Sequence, residues 1–133
     1  MKKLLTLSAA LVSIVALLPS CKKSEDATCV SGSGGSTQIV VYGVRNGDTI
    51  IHSAQQPDTA FVSWSNSGDA AAYDKLYIAE AGEDHIHLSS LNCGSYRIRL
   101  SVFDSVSMTR YTGTTTVSYT KTSGEVTAAV VFP

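Results

Sequence analysis

The residues best equipped for chemistry are His85 and His87, two imidazoles one residue apart and preceded by Glu83 and Asp84. On a strand, residues two apart share a face, so both rings project together about 7 Å apart. Imidazole nitrogens beside a carboxylate suit zinc, copper or nickel. Two histidines leave a closed tetrahedral site one or two ligands short. His52 can supply a third only if its strand neighbours theirs. The alternative is that Ile86 and Leu88 face the core, which leaves His85 and His87 as ordinary polar residues on the wet face.

Other clusters are less specific. Asp69, Asp74, Glu80, Glu83 and Asp84, set against Lys75 alone, could gather calcium ligands, but they lack EF-hand spacing, and a solvated acidic edge is the plainer account. Trp64, Tyr73 and Tyr77 could form an aromatic platform for a glycan. Trp64 alternates with positions of buried type and fits a core better, which leaves Tyr73 as the better candidate for exposure. For catalysis there is no nucleophile elbow, no HExxH, no phosphate loop and no catalytic-cysteine arrangement, so the chain reads as a non-enzyme that needs no cofactor.

The elements that must position these groups are strands. From Thr37 onward the apolar pattern has period two and is rich in β-branched residues, which predicts an all-β domain. Asn46-Gly47 between β-formers predicts a type I′ hairpin, with Arg45 and Asp48 opposite each other as a charge pair. Further strands are expected at Thr59 to Ser65, Leu76 to Ala79, His85 to Leu88, Tyr96 to Asp104, Tyr111 to Thr120 and Glu125 to Phe132. The clearest is Tyr96 to Asp104, where Tyr96, Ile98, Leu100 and Val102 alternate with Arg97, Arg99 and Ser101. Asn66 to Asp74 reads as a polar loop and Glu80 to Asp84 as an acidic turn around Gly82. Seven or eight short antiparallel strands at this spacing make a single β-sandwich.

The N-terminal segment has a different character. Lys2 and Lys3 precede an uncharged apolar stretch from Leu4 to Leu18, and Leu17-Leu18-Pro19-Ser20-Cys21 ends it. This is the layout of a secretory signal. At about 15 residues the stretch is shorter than the roughly 20 of a spanning helix. The ending resembles the Leu-x-(small)-Cys box of bacterial lipoproteins, with Pro19 a tolerated residue in its second position. The resemblance implies a signal peptide over 1–20 and a Cys21 that is diacylated and becomes the new N-terminus. An ordinary secreted protein cut nearby is the alternative. Several acyl chains on one residue hold a protein durably at a membrane, where one chain binds only marginally.

The charged run Lys22-Lys23-Ser24-Glu25-Asp26 is similar to the short surface-export tether of Bacteroidetes lipoproteins, and is equally a plain solvated linker. The resemblance implies a protein anchored in the outer membrane and exposed at the cell surface. With Ser31-Gly-Ser-Gly-Gly-Ser36 it makes 21–36 a lipidated cysteine and flexible tether, and 37–133 the sandwich.

Assigning Cys21 to lipid leaves Cys29 and Cys93, and a pair of thiols in an exported chain is most simply a disulfide. Two free thiols or intermolecular pairing are the alternatives. Taking residues 1–20 from the 133, and Lys2 and Lys3 from the ten Lys and Arg, leaves 113 residues with eight basic and eleven acidic side chains. That is one domain, mildly acidic and without the basic patch of a nucleic-acid binder.

Leu91-Asn92-Cys93-Gly94-Ser95-Tyr96 resembles the Leu-x-x-Gly-x-Tyr corner of immunoglobulin-like, fibronectin-like and transthyretin-like sandwiches, which implies that the Tyr96 hydroxyl folds back onto backbone. In antibody domains a cysteine follows that tyrosine by two. Here Cys93 precedes it by three, so their inter-sheet disulfide is not expected. Ala81 to Leu88 with this corner is similar to a set of small uncharacterised Bacteroidetes lipoproteins, a likeness that brings no activity with it. The sequence therefore reads as a lipid-anchored binding or structural module for an unknown protein or glycan. Its rivals are a metal-binding lipoprotein using His85 and His87, and a hydrolase or inhibitor built on exposed loops.

Overall fold

The computed structural model describes residues 28–64 and 72–133. The signal segment, Cys21 and the charged tether lie outside the described residues, as do Asp69 and most of the 66–74 loop. The strands are β1 (Ser33–Arg45), β2 (Asp48–Thr49), β3 (Thr59–Ser63), β4 (Lys75–Ile78), β5 (Ile86–Leu91), β6 (Gly94–Asp104), β7 (Thr109–Tyr119) and β8 (Ser123–Phe132). They form two four-stranded sheets, the β-sandwich that the alternating pattern predicts.

In the first sheet β1 is central. β8 runs along one side of it from Ser36 to Arg45, while β5 and the short β2 share the other side. The second sheet has the order β4-β3-β6-β7, all antiparallel. One pairing departs from an all-antiparallel arrangement: β8 lies parallel to β1, with Ile39 beside Val126 and Val41 beside Ala128. A hairpin cannot make that contact. The chain leaves the second sheet after β7 and crosses to the first through 120–122, so β8 enters at the same end as β1.

β1 begins four residues earlier than the tether boundary suggests, because Ser33–Ser36 already belong to the strand. The register there shifts at Ser33/Thr37 and Thr37/Ile39, and Ser90 opposite takes a positive φ of 58°. The Gly/Ser run is thus the irregular opening of a strand. Its composition holds no hint of the partner it finds in Leu91 of β5.

The core is the inner face of both sheets. Ile39, Val41, Val62, Leu88, Ile98, Leu100 and Val102 have no exposed surface, and Val130 and Phe132 of β8 close one side. At roughly 1.5–3 kcal/mol for each fully buried aliphatic side chain, these positions are the main source of cohesion. Packing on the inner faces requires glycine at two points, one between the sheets and one within the first sheet. A Cβ on Gly113 would lie 2.6 Å from Val130 Cγ1, and one on Gly43 would lie 2.9 Å from Phe132 Cε2.

The Asn46-Gly47 turn has φ of 52° and 93°, as a type I′ hairpin needs, and pairs Arg45 with Asp48 in register. The expected ion pair with Asp48 is replaced by another. The Arg45 guanidinium reaches across to Asp104 Oδ2 at 2.6 Å and stacks over Tyr111 at 4.8 Å. A carboxylate on the facing sheet, with an aromatic floor beneath the guanidinium, outcompetes an exposed cross-strand partner.

Cys29 and Cys93 are bridged, with Cα atoms 5.0 Å apart. The bridge ties the segment before β1 to the β5–β6 turn. At the same corner the Tyr96 hydroxyl donates to backbone: its oxygen lies 2.7 Å from Asn92 O and 3.0 Å from Gly32 O, and it accepts from Gly32 N–H at 3.1 Å. Disulfide and tyrosine corner therefore fasten one end of the sandwich together.

Candidate functional site

His85 and His87 do share a face, and it is the outer face of the first sheet. Ile86 and Leu88 point into the core, so the intervening residues are turned outward. Their rings meet edge to face with centroids 4.6 Å apart, and His85 Nε2 lies 3.0 Å from His87 Nε2.

The two rings sit inside a chain of hydrogen bonds that runs over three strands. Glu125 on β8 and Gln38 on β1 are neighbours in register. Gln38 Nε2 lies 2.9 Å from Glu125 Oε2 and 2.6 Å from His87 Nδ1. At the other end His85 Nδ1 lies 2.7 Å from Asp84 Oδ1.

A carboxylate only accepts, which orients the whole chain. Gln38 must show its NH₂ to Glu125, and its second hydrogen goes to His87 Nδ1. His87 then carries its proton on Nε2 and donates to His85 Nε2, and His85 donates from Nδ1 to Asp84. Both tautomers follow from the two carboxylates at the ends. Asp84 also accepts from the Thr49 hydroxyl at 3.4 Å. The His85 hydrogen bond is the main influence holding the Asp84 carboxyl below its ordinary range, partly opposed by desolvation and helped by backbone, charge and Thr49 contacts.

Glu83 completes the group. One donor atom each from Glu83, His85 and His87 lie within 4.8 Å of one another, and this is the metal-sized cluster found among the described residues. The loop carrying Glu83 turns at Gly82, where φ is 87°. His52 clamps it: His52 N–H donates to Glu83 O at 2.7 Å, and His52 O accepts from Gly82 N–H at 3.0 Å.

His52 therefore does neighbour the site, but its ring turns inward. His52 Nδ1 lies 2.6 Å from Asp58 Oδ2, and the two side chains are 1% and 0% exposed. Asp58 Oδ1 accepts from Phe103 N–H at 2.6 Å and has Arg110 at 3.5 Å. His52 Nε2 has no hydrogen-bond partner within the protein. With the proton on Nδ1 and donated to Asp58, Nε2 is left as an acceptor without a protein partner. His52 thus supports the Glu83 loop through its backbone and offers the cluster no side-chain ligand.

Among the described residues, the remaining candidates do not converge. Asp74 Oδ2 accepts from Trp64 N–H at 2.7 Å, and Asp84 is taken by His85. Trp64 and Tyr77 pack against the core, while Tyr73 stands on Phe61 with centroids 4.8 Å apart, so the three aromatics share no platform.

Gln38, Asp58 and Asp104 are the residues that sequence reasoning does not find. Their partners lie 49, 45 and 59 positions away, at His87, Phe103 and Arg45 respectively. No local spacing signals such contacts: Gln38 sits on the outward phase of β1 and Asp58 just before β3, and only Asp104 breaks the pattern, as an acid in the inward phase of β6.

At the end of the sandwich away from the disulfide, a depression of about 220 Å³ is lined by Arg45, Asp48, Thr49, Ile51, Asp104 and Val106, among others. Ile51 is 55% exposed, Val106 91% and Met108 72%. Asp104 is its anchor: it accepts from the Ser107 hydroxyl at 2.7 Å, from Val106 N–H at 2.9 Å and from Arg45. The chain matches no protein-family model, no curated protein and no solved structure.

Proposed function

We propose that this chain is a lipid-anchored lipoprotein of the outer membrane, exposed at the cell surface, whose sandwich is a non-enzymatic binding module for a protein or glycan partner. The observation that carries the reading is the polarity of the domain. The Cys29–Cys93 bridge fastens the entering chain to one end, beside the Tyr96 corner. The β1–β2 and β6–β7 turns, with Ile51, Val106 and Met108 exposed, stand at the other.

A tether from Cys21 would therefore hold the first end towards the lipid and present the second outward. The disulfide supports export, since such bridges persist in oxidising compartments. It also makes Cys21 the odd cysteine out, as the lipobox reading requires. Exposed apolar tips around the Arg45–Asp104 pair suit a partner that brings both apolar and polar groups to a small contact.

Fractionation of Gram-negative cells producing the chain tests the reading. The wild-type protein should sediment with membranes, extract into detergent and incorporate labelled fatty acid, and Cys21→Ala should lose the label. A soluble wild-type protein, or a Cys21→Ala variant that still carries labelled lipid, overturns it.

A further inference from the structure

We infer that Glu83, His85 and His87 form a site for a divalent transition-metal ion, zinc or copper, on the outer face of the first sheet. The site does not depend on the lipid anchor. It rests on three features of the geometry.

The first is ligand spacing. Tetrahedral bonds of about 2.0–2.1 Å place two nitrogen ligands roughly 3.3–3.4 Å apart. His85 Nε2 and His87 Nε2 are already 3.0 Å apart, so an ion replaces the proton between them after a shift of a few tenths of an ångström. Glu83 brings a carboxylate within 4.8 Å of both. Two imidazoles and one carboxylate are three protein ligands, which leaves an open position for water or a small ligand.

The second is the support behind the ligands. Metal-binding imidazoles are normally fixed through their other nitrogen by an acceptor such as a carboxylate or a carbonyl oxygen. His85 Nδ1 has Asp84 at 2.7 Å and His87 Nδ1 has Gln38 at 2.6 Å. On metal binding the His85 proton stays on Nδ1. The His87 proton moves from Nε2 to Nδ1, and Gln38 must rotate so that its amide oxygen meets that proton while its NH₂ stays on Glu125. No proton is lost, and both imidazoles ligate as neutral rings.

The third is rigidity. His85 and His87 flank Ile86, which is locked into the core, and the Glu83 carbonyl is held by His52 N–H at 2.7 Å. The donor set is nitrogen-rich, which favours zinc, copper or nickel over calcium and magnesium.

Titration calorimetry of the full-length chain in mild detergent, stripped of metal with chelator, tests this with zinc chloride and copper sulfate. One ion should bind per chain at micromolar concentration or tighter, and calcium should give no heat. The His85→Ala/His87→Ala double variant should lose more affinity than the about 10–100-fold that removal of a supporting hydrogen bond costs such sites. Because both rings are on the surface, the double variant should melt like the metal-free wild type. A second measurement needs no variant: the electron paramagnetic resonance spectrum of the copper-loaded wild type should show coupling to two imidazole nitrogens. No binding at millimolar metal, unchanged binding in the double variant, or a copper spectrum with oxygen ligands alone overturns the proposal.

Discussion

His52 reaches two places at once: its ring is fixed to Asp58 at 2.6 Å inside the protein, and its backbone is fixed to Glu83 at 2.7 Å beside the histidine pair. A buried pair thereby sets the position of a surface loop. Removing one partner from such a hydrogen-bonded pair leaves a buried polar group unmatched, which costs about 1–3 kcal/mol. Chemical denaturation of Asp58→Ala and His52→Ala should show losses of this size. A change within about 0.5 kcal/mol, the range of ordinary surface substitutions, would contradict the assignment.

The Cys29–Cys93 bridge closes a loop with a sequence separation of 64. The chain-entropy treatment values a loop of that length at roughly 4 kcal/mol. Cys29→Ala/Cys93→Ala should therefore lower the urea midpoint substantially, and reductant should lower the wild type towards the variant. Coincident unfolding curves with and without reductant would show that the bridge adds nothing.

Tyr96 is 1% exposed and its hydroxyl serves Asn92 and Gly32. Tyr96→Phe keeps the ring but takes the hydroxyl from Gly32 N–H and Asn92 O, while Gly32 O keeps Asn92 N–H at 2.9 Å, at an expected cost of about 1–3 kcal/mol. Thermal melting should show the loss together with faster amide exchange at Gly32.

Asp104 is held below the ordinary carboxylate range, first by the Ser107 hydroxyl, then by Val106 N–H and with help from Arg45. A depressed folded-state pKa stabilises the fold above the unfolded value, and that contribution fades as pH falls through the folded one. Acid titration should therefore weaken the wild type below about pH 4, the ordinary carboxylate range. Asp104→Asn should show a flatter dependence there, and parallel curves would rule out the linkage.

Much of this was legible in the sequence. Period-two runs such as Tyr96–Val102 and the Asn46-Gly47 turn announce strands and a hairpin because each depends on local geometry alone. The shared face of His85 and His87 follows from the same period. What could not be read was long-range: β8 lying parallel to β1, Arg45 choosing Asp104 over Asp48, and Gln38 linking β8 to His87. Those contacts depend on which strand lies beside which. Two sheets packed face to face bring together residues whose separation in the chain carries no signal.

The central claim, that a lipidated Cys21 anchors the chain with its far end outward, is tested most directly by mass spectrometry of the mature N-terminus from isolated membranes. The account predicts a chain that starts at Cys21 and carries a diacylglyceryl group on its sulfur. A mature chain that begins elsewhere, or begins at Cys21 with a free thiol, would contradict it.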